Sequence, residues 1–176
     1  MRCRVVVSWV FAFVVGAASA AQAQGAWQDI KLSASGIDYD LSGTGRTTGV
    51  VASVTRTLSP HLALEMRSLF ARPCQQFQSC ADVGPASLIA PEAQLQYRWT
   101  AGRLEPYVGA GLGASMLRSS FHTDWDPTVS FAAGTGVRLT DRLAVTGEFR
   151  LRGHEWRFTG TTTEIAAGLA WRVRNF

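Results

Sequence analysis

Oily and polar side chains alternate with a period of two along most of this chain, most cleanly from Val129 to Arg152, VSFAAGTGVRLTDRLAVTGEFRLR. Val129, Phe131, Ala133, Thr135, Val137 and Leu139 alternate with Ser130, Ala132, Gly134, Gly136 and Arg138. After Thr140-Asp141-Arg142 the pattern resumes, with Leu143, Val145, Gly147, Phe149 and Leu151 against Ala144, Thr146, Glu148, Arg150 and Arg152. Such patterning over about ten residues on each side of a tight polar turn predicts a β-hairpin. Strands of this length exceed the usual five or six residues of a soluble protein and match the roughly 9–11 tilted residues that cross a bilayer. The hairpin reads as one quarter of a transmembrane barrel.

The same alternation recurs along the rest of the chain. Trp27 to Leu41 forms a first strand, with Ile30, Leu32 and Ala34 on one face and Ile37, Tyr39 and Leu41 on the other. Its phase changes at Gly36, which predicts a β-bulge there. Arg46 to Leu58 returns, with Arg56 on the oily parity beside a turn, where an arginine can snorkel at a cost of roughly 0–1 kcal/mol. Leu62, Leu64, Met66 and Phe70 then oppose Ala63, Glu65 and Arg67, and Pro91 to Trp99 sets Ala93, Leu95, Tyr97 and Trp99 against Glu92, Gln94, Gln96 and Arg98. From Leu104 to Leu117, Gly109, Gly111 and Gly113 share one face and leave room for large charged neighbours inside a narrow barrel. Thr161 to Phe176 is the last strand.

The strands number eight, joined by short turns at 59–60, 101–103 and 140–142 and by loops at 42–45, 72–87, 118–127 and 153–160. Leu58-Ser-Pro-His-Leu and Leu139-Thr-Asp-Arg-Leu repeat one hairpin base, which places both turns at the same end. An even strand number, short periplasmic turns and longer external loops describe outer-membrane barrels. The expected fold is all-β: an eight-stranded antiparallel transmembrane up-and-down β-barrel with both chain ends in the periplasm.

Composition agrees with export. Arg2 and Arg4 precede an apolar run from Val5 to Val15 and the small-residue site Ala21-Gln22-Ala23, so residues 1–23 read as a signal peptide and 24–176 as the barrel domain. Cys3 leaves with the signal. The formal charge of +4 falls to +2 without Arg2 and Arg4, and no basic run is interleaved with aromatics as a nucleic-acid groove requires. Cys74 and Cys80, in the longest loop, are the two cysteines of the mature chain, and an oxidising compartment predicts a disulfide between them.

Turning the oily faces to lipid forces Glu65, Arg67, Glu92, Arg98, Arg138, Glu148, Arg150, Glu164 and Arg172 into the lumen, because an arginine facing lipid at the midplane costs roughly 2–4 kcal/mol. An eight-stranded barrel is only wide enough for its own side chains to fill. These charges are therefore expected to pair and plug it. Trp27, Trp99, Tyr107 and Trp171 near the turns, with Tyr39, Phe70, Trp156 and Phe158 near the loops, fit two aromatic girdles. His122, Asp124 and Asp126 at spacing two do not specify a closed coordination shell, so no metal and no cofactor is expected. A ligand-stacking role would fall to loop aromatics such as Phe77, Phe121 or Trp125.

The exported eight-strand pattern, the glycine-rich strand Tyr107-Val-Gly-Ala-Gly-Leu-Gly113 and the closing Phe176 together resemble the OmpA/OmpX-type small outer-membrane barrels. The resemblance covers the mature chain and implies an outer-membrane location, with Phe176 as the signal read by the barrel-assembly machinery. Leu169, Trp171 and Val173 are out of phase with Phe176, so either a bulge near Asn175 restores the alignment or the signal is weak. The peptidoglycan-binding domain that follows the barrel in OmpA itself is not expected, since the chain stops at Phe176. Lipid A deacylase barrels carry a His-x-Ser pair, whereas His61, His122 and His154 are followed two positions on by Ala63, Asp124 and Trp156. Lipid A palmitoyltransferase barrels use a histidine with an Asp-Ser pair, and no Asp-Ser dipeptide occurs. The expectation is a monomeric, non-enzymatic barrel with a structural or surface-interaction role carried by its extracellular loops. Its partners would be outer-membrane lipid and lipopolysaccharide, and the assembly machinery during insertion. The alternatives are a lipid A-modifying enzyme and a small-solute channel.

Overall fold

The structure, a computed structural model, describes residues 28–39, 46–72, 87–118, 123–155 and 157–173. The strands are β1 (Gln28–Tyr39), β2 (Arg46–Thr57), β3 (Leu62–Ala71), β4 (Ser87–Arg98), β5 (Leu104–Arg118), β6 (Thr123–Arg138), β7 (Leu143–His154) and β8 (Arg157–Val173). Each pairs antiparallel with its sequence neighbour, and β1 pairs with β8 to close the barrel. Closure leaves no sheet edge, so every strand finds its backbone partners within the wall. A 12-residue strand such as β2, at about 3.3 Å per residue and tilted about 40°, rises roughly 30 Å, the thickness of a bilayer core. Among the described residues no helix is long and apolar enough to cross a membrane; the crossing is made by strands.

The burial pattern is inverted relative to a water-soluble protein. Leu112, Phe131 and Ile165 are 58%, 54% and 66% exposed on the outer wall, while Glu65, Gln94, Gln96 and Arg150 are wholly buried inside. The alternation read from the sequence is this inversion, with oily side chains toward lipid and polar ones toward the lumen.

The repeated hairpin base is one structure used twice. Leu58 and Ser59 donate their backbone N–H to Leu62 O at 2.8 and 3.1 Å, and Leu139 and Thr140 donate to Leu143 O at 2.9 and 3.1 Å. The Ser59 and Thr140 hydroxyls accept from the Leu62 and Leu143 amides at 3.1 and 3.0 Å. The third turn uses Gly102 with φ +65°, a left-handed conformation natural to glycine.

Three local expectations are corrected. No bulge occurs at Gly36: the pairing of β1 with β2 runs unbroken from Gln28↔Arg56 to Asp38↔Arg46. The hydrophobic phase changes because the lumen itself turns apolar at the loop end. There Ile37 points inward and packs with Val51, Leu69, Ala71, Leu88 and Ala90. Strands also continue into segments whose polarity suggested loops. β5 and β6 pair out to Arg118↔Thr123, and β7 and β8 pair out to His154↔Arg157, with a register shift at Gly153/His154 and Glu155 at φ 51°. A strand above the bilayer is wetted on its outer side, so its polar residues do not break the ladder. β4 likewise begins at Ser87, before Pro91; its ladder to β5 lapses at Ala90 and Pro91, where proline has no N–H to give.

Candidate functional site in the barrel lumen

Alternation brings one polar side chain inward every second residue, and antiparallel pairing sets those of neighbouring strands side by side. At mid-height this assembles four bases, Lys31, Arg67, Arg150 and Arg152, with four acids, Glu65, Glu92, Glu148 and Glu164. Lys31 Nζ lies 2.8 Å from Glu65 and 3.3 Å from Glu148. Arg67 meets Glu164 at 2.5 Å and Glu148 at 3.6 Å. Arg152 bridges Glu92 and Glu164 at 3.2 and 3.3 Å. Arg150 is the hub: its guanidinium donates to Glu92, to Glu148 at 2.9 Å, to Gln94 at 2.8 Å and to Ser130 at 3.0 Å. Neutral donors complete the acids, Ser53 and Gln96 reaching Glu65 at 2.6 and 2.7 Å and Ser130 reaching Glu92 at 2.5 Å. Multiple partners per ion are what make charges tolerable away from water.

Glycine makes the room. A Cβ on Gly111 would stand 2.6 Å from Glu92 Oε1 and 2.9 Å from Ser130 Oγ, so the carboxylate occupies the space a side chain would fill. Gly134 does the same for Tyr107, its cross-strand partner.

Tyr107 closes the lower side of this layer. Its hydroxyl donates to Glu148, and its ring lies 5.9 Å from Lys31 Nζ and 5.6 Å from Arg98 Cζ, within cation–π range. Beneath it a vestibule opens at the turn end, a cavity of about 240 Å³ lined by Asp29, His61, Arg98, Glu105, Arg138 and Arg172. Arg172 joins Asp29 and Glu105 at 3.0 and 3.2 Å, Arg98 reaches Asp29 at 3.3 Å, and Arg138 pairs with Glu105. Above the ionic layer, toward the loops, stands the apolar cluster around Leu69 and Val51.

The nine charges expected inside thus divide between two layers. Glu65, Arg67, Glu92, Glu148, Arg150 and Glu164 form the mid-lumen network, and Arg98, Arg138 and Arg172 guard the vestibule. Sequence reasoning missed Lys31, Arg152, Asp29, Glu105 and the inward turn of Tyr107, which is a lumen residue rather than a girdle aromatic. Strand parity carried the signal for Lys31, which stands between the lipid-facing Ile30 and Leu32. Tyr107 was hidden because an aromatic near a turn suits either face. Trp99 and Trp171 are exposed near the turns, and Trp125, read as a loop aromatic, faces outward on β6 opposite Met116. Residues 1–27, Cys74, Phe77, Cys80, Phe121, His122, Trp156 and Phe176, and the side chains of Tyr39 and Phe158, lie outside the described residues.

A lumen filled with ions inside an oily wall is the arrangement of an outer-membrane barrel, and residues 9–172 match the family described as outer membrane protein beta-barrel domain. The chain belongs to that family. It is a protein of the bacterial outer membrane. Similar solved structures include the Neisserial surface protein A (NspA), with 12% identity over 85% of this chain and 98% of that one at a TM-score of 0.62. OprG from Pseudomonas aeruginosa shares 10% identity over 86% and 97% of the two chains at 0.62. Ail, the attachment invasion locus protein of Yersinia pestis, solved with the heparin analogue sucrose octasulfate, shares 10% over 85% and 100% at 0.57. At these identities the likeness is one of fold. No curated protein matches the chain in sequence.

Proposed function

We propose that this family member is a closed, non-catalytic outer-membrane barrel, a rigid pedestal whose loops carry a surface interaction. The observation that carries the reading is the charge-balanced plug around Arg150, capped by an apolar layer: it supports a scaffold rather than a conduit. Ail, an attachment invasion locus protein, and NspA, a surface protein, share this fold, which agrees with a surface role. Among the described residues the lumen holds one contact reminiscent of hydrolytic chemistry, Ser115 Oγ to His154 Nδ1 at 3.4 Å, with Thr162 Oγ1 at 2.9 Å from the other ring nitrogen. Ser115 is buried on the lumen side, whereas an acyl chain arrives from the lipid side, so this pair does not favour the lipid A-modifying alternative.

Planar-bilayer recording and a lipid A acyl-release assay on the folded protein test the reading together. Folded protein, identified by a gel band that shifts on boiling, is expected to give neither steady large conductance nor released acyl chains. Either signal overturns the pedestal. Replacing residues 73–86 by a short Gly-Ser link should abolish binding of expressing cells to immobilised host-surface glycans and matrix while the barrel still folds; undiminished binding would refute the loop assignment.

A further inference from the structure

At the loop end of the outer wall, side chains fall into two cross-strand rows. The lower row is apolar and in continuous register: Val50↔Phe70, Phe70↔Ile89, Ile89↔Met116 and Met116↔Trp125. Two residues nearer the loops the same register sets Ser87↔Arg118 and Arg118↔Thr123 side by side, and Arg72, one residue past Ala71↔Leu88, falls opposite Ser87. Side chains repeat their direction every second residue, so this upper row faces outward like the one beneath it. Arg72 and Arg118 are exposed and stand two strands apart, roughly 10 Å at about 4.8 Å per strand. Arg46, on the adjacent β2, is outward and exposed, paired with Asp38 at 3.1 Å. The acids of β6, Asp124 and Asp126, take the opposite, lumen parity.

We propose that Arg72, Ser87 and Arg118 form a binding site for the phosphates of an outer-leaflet glycolipid, with Arg46 as a flanking cation. The proposal rests on the orientation that puts the short turns in the periplasm, and it gives residues to the expected lipid partner. The row Val50 to Trp125 marks where acyl chains end, because apolar outward residues stop there and Trp125 has the amphipathic ring favoured at an interface. The next step outward is the headgroup zone, and there the wall presents two guanidinium forks, each shaped to take a phosphate in two hydrogen bonds. Two forks about 10 Å apart, with a hydroxyl donor between them, suit a headgroup bearing two phosphates better than a lone anion.

The test uses the full chain folded in phosphatidylcholine nanodiscs doped with diphosphorylated lipid A or with its dephosphorylated form, retained lipid being counted by native mass spectrometry. Affinity for the phosphorylated lipid should exceed that for the other by at least tenfold. The double variant Arg72→Gln/Arg118→Gln should erase the difference, and Arg103→Gln in a turn at the opposite end should not. Equal retention of the two lipids, or an unaffected double variant that still shifts on boiling, overturns the site. Heparin and inorganic phosphate added to detergent-solubilised protein form the second arm. Binding of either as tight as that of the lipid, and lost with the same arginines, overturns the lipid assignment. Both leaflets of a disc hold the same lipid, so the result does not depend on orientation in cells. Maleimide labelling of a Thr123→Cys variant on intact cells reads that orientation separately.

Discussion

Arg150→Met is the sharpest test of the plug. The substitution preserves much of the side chain's bulk and removes one charge from the centre of a balanced set, leaving four acids against Lys31, Arg67 and Arg152. Arg150 and the carboxylates it bridges are essentially excluded from solvent. Losing one partner of a buried pair costs about 3–5 kcal/mol, because the charge left behind has no water to fall back on. The remaining network softens this. Glu92 keeps Arg152 at 3.2 Å, and Glu148 keeps Lys31 and Arg67 at 3.3 and 3.6 Å. A loss of about 3 kcal/mol is therefore expected, the lower end of the range. Arg46→Met, which breaks the exposed pair with Asp38, should cost no more than about 1 kcal/mol. Urea unfolding in lipid vesicles, followed by tryptophan fluorescence, measures both. Adding Glu148→Gln to Arg150→Met should recover part of the loss, since two neutral groups leave less uncompensated charge than one ion, and the coupling should fall within about 0.5–3 kcal/mol. An Arg150→Met protein within about 0.5 kcal/mol of wild type, the size of an ordinary surface substitution, would refute the view that the lumen is held by ionic balance.

Two further outcomes follow from the same geometry, and a third from the sequence. Gly111→Val should destabilise by about 1–3 kcal/mol in the urea assay, the usual cost of overpacking, because its side chain would enter the space of Glu92 and Ser130; wild-type stability would show the lumen to be loosely filled. Tyr107→Phe removes a hydrogen bond to the Glu148 carboxylate while keeping the ring between Lys31 and Arg98, so a loss of about 1.5–3 kcal/mol is expected. Cys74 and Cys80 should resist thiol labelling in non-reduced denatured protein, and modification of both would exclude the bridge.

Strand number, order and facing were legible because one physical rule, oily outside and polar inside, writes itself on every second residue. The rule is read best where both environments are uniform. Along β4, Gln94 and Gln96 alternate with Leu95 and Tyr97, and the sequence places each correctly. It misleads at the loop end, where Ile37 and Leu69 face an apolar lumen and mimic lipid-facing residues out of phase. The apparent bulge at Gly36 came from assuming a lumen polar along its whole height. Strand ends were lost for a related reason. Above the bilayer the outer wall is wet, so Thr123 and Asp124 carry no alternation even though their backbone stays in the ladder. Which acid meets which base was not legible at all, because Arg67 and Glu164 are 97 residues apart and adjoin only through closure of the barrel.

The distribution of charge follows access to water. In the mid-lumen layer the arginine side chains are 0–2% exposed and bases equal acids, four to four. In the vestibule Arg98, Arg138 and Arg172 are 24–35% exposed and outnumber Asp29 and Glu105, three to two. A surplus charge there can be met by water and mobile ions, which weaken both its attraction and its penalty. Beyond the membrane, Arg46 is almost fully solvated and tied to a single carboxylate. Balance is strict only where solvent is absent. That gradient argues that the mid-lumen ions were fitted as a neutral set, and that removing one of them changes the energetics of the other seven. The vestibule joins that layer through Arg98, which donates to Gln96 at 2.7 Å while Gln96 donates to Glu65 at 2.7 Å, so a charge removed at Arg98 reaches the network above, whereas Arg138 and Arg172 pair with Asp29 and Glu105 at the wetter level.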